Sequence, residues 1–94
     1  MSLEKLEGQK GVLRILVYLY QHGDTNFQRI VDEGNLYDRI VRNSLPILKN
    51  PSLISTKIDK ISYPRKNMIF ITEKGKRIAE KLMEIEEIMR EGEL

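Results

Sequence analysis

Few side chains here are of types that could support acid–base or metal chemistry. There is one histidine, His22, and no cysteine. His22 follows an apolar run and reads as a surface residue at a helix end. The densest group of carboxylates, Glu84, Glu86, Glu87, Glu91 and Glu93, has no His or Cys at ligand spacing. Catalysis of either kind needs grouped titratable side chains, so these glutamates read as the solvated face of a helix. Gly8 and Gly11 precede a helix with no strand before them, which does not make a phosphate loop. The residues that do cluster are cationic. Positions 51–71 hold four Lys/Arg against one Asp, and 72–94 hold five against seven Glu, in a chain of net charge +2. A local positive excess of this kind is an electrostatic footprint for an anionic partner. The expectation is a non-enzyme with no cofactor and no metal.

The elements that must position these charges follow from periodicity. With 94 residues the chain fits one domain, 1–94, whose small core lacks disulfide staples and invites an oligomer interface. Gln9 to Gln21 carries Val12, Leu13, Ile15, Leu16, Val17 and Leu19, too dense for a single stripe, and predicts a central helix buried around much of its girth. Gly23 ends it. Thr25-Asn26-Phe27-Gln28 has capping-box form and opens a short helix, with Phe27, Ile30 and Val31 on its apolar face and Gly34-Asn35 as its stop. Leu36 to Asn50 repeats apolar residues at Leu36, Ile40, Val41, Leu45 and Leu48, a further amphipathic helix in which Pro46 predicts a kink or break. These three helices make a core over 9–50. From Ser52 the period changes to two, and with Met68 to Thr72 it predicts a two-stranded hairpin over 52–72, its turn being the basic Ser62 to Asn67. Glu73 to Arg90 (73–90) predicts a long last helix. The fold class is α+β, mostly α.

Two short helices parted by Gly34-Asn35 form a helix-turn-helix candidate, and the basic hairpin behind them supplies a wing. The sequence resembles the winged-helix transcription regulators of the MarR, PadR and ArsR type over roughly Gly11 to Leu82. Leu45-Pro46-Ile47-Leu48 followed by Leu53-Ile54 keeps that group's spacing between the end of the recognition helix and the start of the wing. Ile71-Thr72-Glu73-Lys74-Gly75-Lys76 is similar to its step from the second wing strand into the last helix, with Thr72 as cap and Gly75 allowing close approach. Ser52 stands where the group usually has glycine, after Pro51, and the paired Asp and Arg of the MarR wing and the cysteines of metal-sensing ArsR proteins are absent.

The resemblance implies a recognition-helix face of Tyr37, Asp38, Arg39, Arg42, Asn43 and Lys49. Arg42 and Asn43 would contact bases, since guanidinium and carboxamide can each bond a base edge in two places. Tyr37 and Arg39 would contact phosphate or sugar, and Asp38 would orient an arginine. On the wing Lys57, Lys60, Arg65, Lys66 and Asn67 are the electrostatic candidates, with Arg65 and Lys66 at the tip, against the alternative of an ordinary solvated hairpin. The last helix suits neither groove. Ile78, Leu82, Ile85 and Met89 are spaced like coiled-coil core positions and predict a homodimer; the alternative is that the helix folds back on its own domain. The expected partner is double-stranded DNA, with room for a small-molecule effector only near the dimer interface. A winged-helix module that binds protein and not DNA is the alternative. The absence of cysteine and of a long apolar run predicts a cytoplasmic protein away from membranes.

Overall fold

The computed structural model describes residues 3–7, 9–59 and 66–92. Its elements run α1 (Glu4–Glu7), α2 (Val12–His22), β1 (Thr25–Asn26), α3 (Phe27–Gly34), α4 (Asp38–Lys49), β2 (Ile54–Asp59), β3 (Lys66–Ile71) and α5 (Glu73–Arg90). Helix α2 lies at the centre and touches α1, α3, α4, α5 and β3. Its buried residues are Val12, Ile15, Leu16, Tyr18 and Leu19, which pack with Ile30 of α3, Val41 and Leu48 of α4, Ile54 and Ile69 of the sheet and Ala79 of α5. The apolar density predicted burial around much of α2, yet Leu13 and Arg14 are exposed. Arg14 instead donates from Nη2 to the Gly34 carbonyl at 3.1 Å, clasping the end of α3. Tyr18 donates to Glu33 at 2.7 Å, and Arg29 donates to the same carboxylate at 3.1 Å. The Tyr18 hydrogen bond, then that from Arg29, holds the Glu33 carboxyl below its ordinary range. Burial, then the bond to Glu33, raises the Tyr18 hydroxyl.

Both helices of the helix-turn-helix end by the same device. In α3, Asn35 adopts a left-handed conformation (φ 52°), and the Leu36 N–H reaches back to the Val31 carbonyl. In α4, the Ser52 N–H bonds to the Lys49 carbonyl at 2.9 Å and the Leu53 N–H to the Leu48 carbonyl at 3.0 Å, with Ser52 at φ 63°. These paired bonds make a Schellman end, whose left-handed position normally suits glycine. Ser52 therefore stands in the strained conformation that a glycine would accept freely. Of the kink or break predicted at Pro46, the break is absent: α4 runs through it to Lys49, and the Asn50 N–H closes on the Pro46 carbonyl at 3.0 Å. Buried Ser44 lies one turn after Ile40 and satisfies its hydroxyl by donating to the Ile40 carbonyl at 2.6 Å.

Two corrections concern the elements themselves. A four-residue helix, α1, precedes the three helices expected before the hairpin, and the sheet has three strands in the order β1-β3-β2 where two were expected. Thr25 pairs with Ile69 and Asn26 with Met68, so Thr25 is drawn into strand β1. The cap of α3 passes to Asn26, whose side chain accepts from the Arg29 N–H at 3.0 Å. Strand β3 begins at Lys66, two residues before the predicted start, so Lys66 and Asn67 belong to a strand and not to the turn. The β2–β3 pairing runs from Ile54 opposite Ile71 to Asp59 opposite Lys66.

The tightest joint lies where α5 leaves the sheet. Thr72 caps the helix by accepting from the Gly75 N–H at 3.0 Å, while its hydroxyl donates to the Ser52 carbonyl at 2.7 Å. Its own N–H donates to the Leu53 carbonyl at 3.1 Å. Gly75 packs against this same carbonyl so closely that a Cβ there would stand 2.1 Å from the Leu53 oxygen. The close approach expected at Gly75 is thus present, made against the first residue before β2.

Candidate nucleic-acid interface

Helix α4 buries Val41, Ser44 and Leu48 and half-buries Ile40, Leu45 and Ile47. Its other side, Asp38, Arg39, Arg42, Asn43, Pro46 and Lys49, is exposed along its whole length. These positions recur every three or four residues, so they form one continuous stripe on a helix. All six residues expected on the recognition face are exposed, with Tyr37 at 80% just before the first turn. Tyr37 closes that turn with its backbone, its carbonyl accepting from the Ile40 and Val41 N–H groups.

The stripe is partly organised. Arg42 donates from Nη2 to Asp38 Oδ2 at 2.7 Å, one helical turn earlier. Its guanidinium also lies over the Phe27 ring, 5.9 Å from the centroid. An exposed pair at this spacing contributes only about 0.3–0.5 kcal/mol, so its effect is to position Arg42 more than to stabilise the helix. The expected orientation of an arginine by Asp38 is present. Phe27 was assigned from sequence only to the apolar face of α3, and no spacing rule across two helices would have placed it under Arg42.

On the wing, Lys57 is exposed on β2 and faces Met68 across the ladder, on the side of the sheet away from Ile54 and Ile69. Lys66 and Asn67 lie in β3, opposite Asp59 and Ile58. Lys60 and Arg65 fall outside the described residues. Exposed Ile58 marks where the ladder leaves the core.

Helix α5 divides its apolar stripe. Ile78 and Leu82 are half-buried and pack on the chain's own core, whereas Ile85, Ile88 and Met89 are 53%, 61% and 69% exposed. Tyr20 of α2 donates to Glu80 at 3.0 Å on the packed half, and this bond raises the Tyr20 hydroxyl. Of the four residues expected at a dimer interface, two thus contribute to the domain itself and two project from it. Among the described residues no group of three or more His, Cys, Asp or Glu side chains could hold a metal ion, and no helix is long and apolar enough to cross a membrane.

A central helix, a helix-turn-helix with an uncovered outer face, a β-wing returning to the core and a long closing helix together define a winged-helix fold, that of the MarR-type transcriptional regulators. A transcriptional regulator homologue protein from Pyrococcus horikoshii OT3 aligns over 99% of this chain and 98% of its own, at 18% identity and a TM-score of 0.74. A MarR protein from Peptoclostridium difficile aligns over 98% of this chain at 19% identity and a TM-score of 0.77. MepR of S. aureus, solved as a DNA complex, aligns over 94% at 27% identity and a TM-score of 0.74. The chain spans 62% and 64% of the length of the last two. No protein-family model and no curated protein matches the sequence.

Proposed function

We propose that this chain is a sequence-specific double-stranded DNA-binding transcriptional regulator and not an enzyme. In this reading α4 enters the major groove, the β2–β3 wing lies on the backbone or in the minor groove, and the chain acts as a homodimer. The observation that carries it is the outer face of α4, which no described element covers and which presents Arg39, Arg42, Asn43 and Lys49 in one stripe. Uncovered guanidinium and carboxamide groups on a helix of this width suit base edges in the major groove. The likeness to MepR, a protein solved on DNA, supports the same reading.

Arg42 and Asn43 are assigned to bases, Tyr37, Arg39 and Lys49 to phosphate and sugar, and Lys57, Lys60, Arg65, Lys66 and Asn67 to the wing contact. The projecting end of α5, with Ile85 and Met89, is assigned to the partner copy. Pairing there would set two recognition helices on successive turns of one face of the duplex, about 34–36 Å apart.

Fluorescence anisotropy with a mixed-sequence duplex, titrated at several salt concentrations, tests the reading. Wild type should bind with a log–log salt slope of about −0.9 per phosphate neutralised, and Arg65→Ala plus Lys66→Ala should flatten it by up to about two such increments. Arg42→Ala should weaken binding to a preferred site more than to a random one. Absence of binding at low salt would overturn the reading in favour of a winged-helix module that binds protein.

A further inference from the structure

We infer that Asp38 is the positioning residue that gives the α4 face its base preference, by presetting Arg42 to read a guanine. The inference rests on the DNA-binding reading above. A free arginine has a long flexible arm, and a duplex must immobilise it at an entropic cost. Arg42 is already constrained from two directions. Asp38 Oδ2 takes one N–H of Nη2 at 2.7 Å, and the guanidinium carbon lies over the Phe27 ring of α3, 5.9 Å from its centroid. The guanidinium is rigid and planar, so holding one N–H on Asp38 and its centre over a ring restricts where its remaining donors point.

Arg42 keeps 71% of its side chain exposed, so those donors remain open on the uncovered side of α4. Two parallel N–H groups match the O6 and N7 acceptors of guanine and no other base edge in the major groove. Asp38 is itself 53% exposed, and its Oδ1 accepts no hydrogen bond among the described residues. A carboxylate oxygen beside such an arginine accepts from an amino group, so the neighbouring base is a cytosine or an adenine. It also repels phosphate. The pair therefore lowers affinity for arbitrary sequence while raising it for one step, the sign expected of a specificity device.

The test selects bound duplexes from a pool with a randomised core, using wild type, Arg42→Ala, Asp38→Asn, Asp38→Glu and Phe27→Leu, and then measures selected and guanine-substituted duplexes by anisotropy. Arg42→Ala identifies the guanine concerned. Asp38→Asn should reduce discrimination at that guanine by about twofold, what an exposed helical pair of this kind can contribute, while binding unselected duplex more tightly. Asp38→Glu, which still pairs at the same helical spacing, should keep most of the preference, and Phe27→Leu should lose part of it. All five chains should melt alike except Phe27→Leu, whose residue also packs on the core. Uniformly tighter binding by Asp38→Asn with an unchanged preference would overturn the inference and leave the DNA reading standing. Failure of wild type to bind any duplex would overturn both.

Discussion

Replacing Gly75 with alanine sets two effects of opposite sign against each other. Gly75 is the third residue of α5, in helical conformation, where alanine is intrinsically better than glycine by about 1 kcal/mol. Against this, the added Cβ would lie 2.1 Å from the Leu53 carbonyl oxygen and 2.8 Å from Ile71 Cγ1. The oxygen cannot retreat at little cost, because Leu53 is buried, its N–H is bonded to Leu48 and its carbonyl receives the Thr72 N–H. Overpacking of this kind costs about 1–3 kcal/mol. Each hydrogen bond lost at the joint adds about 1 kcal/mol. The net expectation is a loss of about 2 kcal/mol, and in a domain of this size a drop in melting temperature of roughly 8–16 °C. Circular dichroism melts and urea titration measure it. Gly34→Ala is the control: it also stands in a helix, but its Cβ would meet only Leu36 side-chain atoms at 3.6 and 3.8 Å, so it should melt at or above wild type, by up to about 8 °C. A Gly75→Ala chain as stable as wild type, or more so, would refute the claim that α5 is locked against the Leu53 carbonyl.

Ser52→Gly should act in the opposite direction, because it relieves a left-handed serine at φ 63°. The gain should be about 0.5–1 kcal/mol after the larger unfolded-state entropy of glycine is subtracted, and a melting temperature that does not rise would count against strain there. Replacing Ile85, Ile88 and Met89 together with glutamine removes apolar surface from the exposed end of α5 while keeping good helix formers. Sedimentation equilibrium should show a dimer for wild type and a monomer for the variant; an unchanged mass would move the dimer contact elsewhere. Leu82 is unsuitable for this test because it packs on its own domain, so its replacement would confuse folding with association.

The parts of the fold legible in the sequence are those where several local signals agree. Helix α5 spans the predicted 73–90 because a Thr72 cap, a glycine at the third position and an apolar stripe all indicate the same start. The outer face of α4 was legible for the same reason: a helical period separates buried from exposed residues without reference to the rest of the chain. What escaped depended on distant partners. Thr25 and Asn26 are both good caps, and only pairing with Ile69 and Met68, more than forty residues away, decides that Thr25 joins a strand and Asn26 takes the helix. Pro46 predicts a kink or a break, and α4 does not break, because the turns on either side are held by Val41, Ser44 and Leu48 and packing prevails over one missing donor. The stripe on α5 likewise revealed its period but not that half of it belongs to the chain's own core. The contact of Arg42 with Phe27 joins two helices whose angle the sequence does not state.

The joint at Thr72 and Gly75 has a mechanical meaning. Eighteen residues of α5 make a rod about 27 Å long, anchored at its first turn to the carbonyl from which the wing departs and held against the core as far as Leu82. The part beyond Leu82 is about 12 Å long, so a tilt of about 10° where it leaves the core would carry its end, with Ile85, Ile88 and Met89, through roughly 2 Å. In the proposed dimer, clasped at those far ends, the spacing between the two α4 helices would be governed by how firmly this joint and the packed half of α5 hold the helix. In that proposed dimer, a molecule wedged beside the joint, or a residue that loosens it, would change which operator spacing the pair could span without touching the side chains assigned to bases.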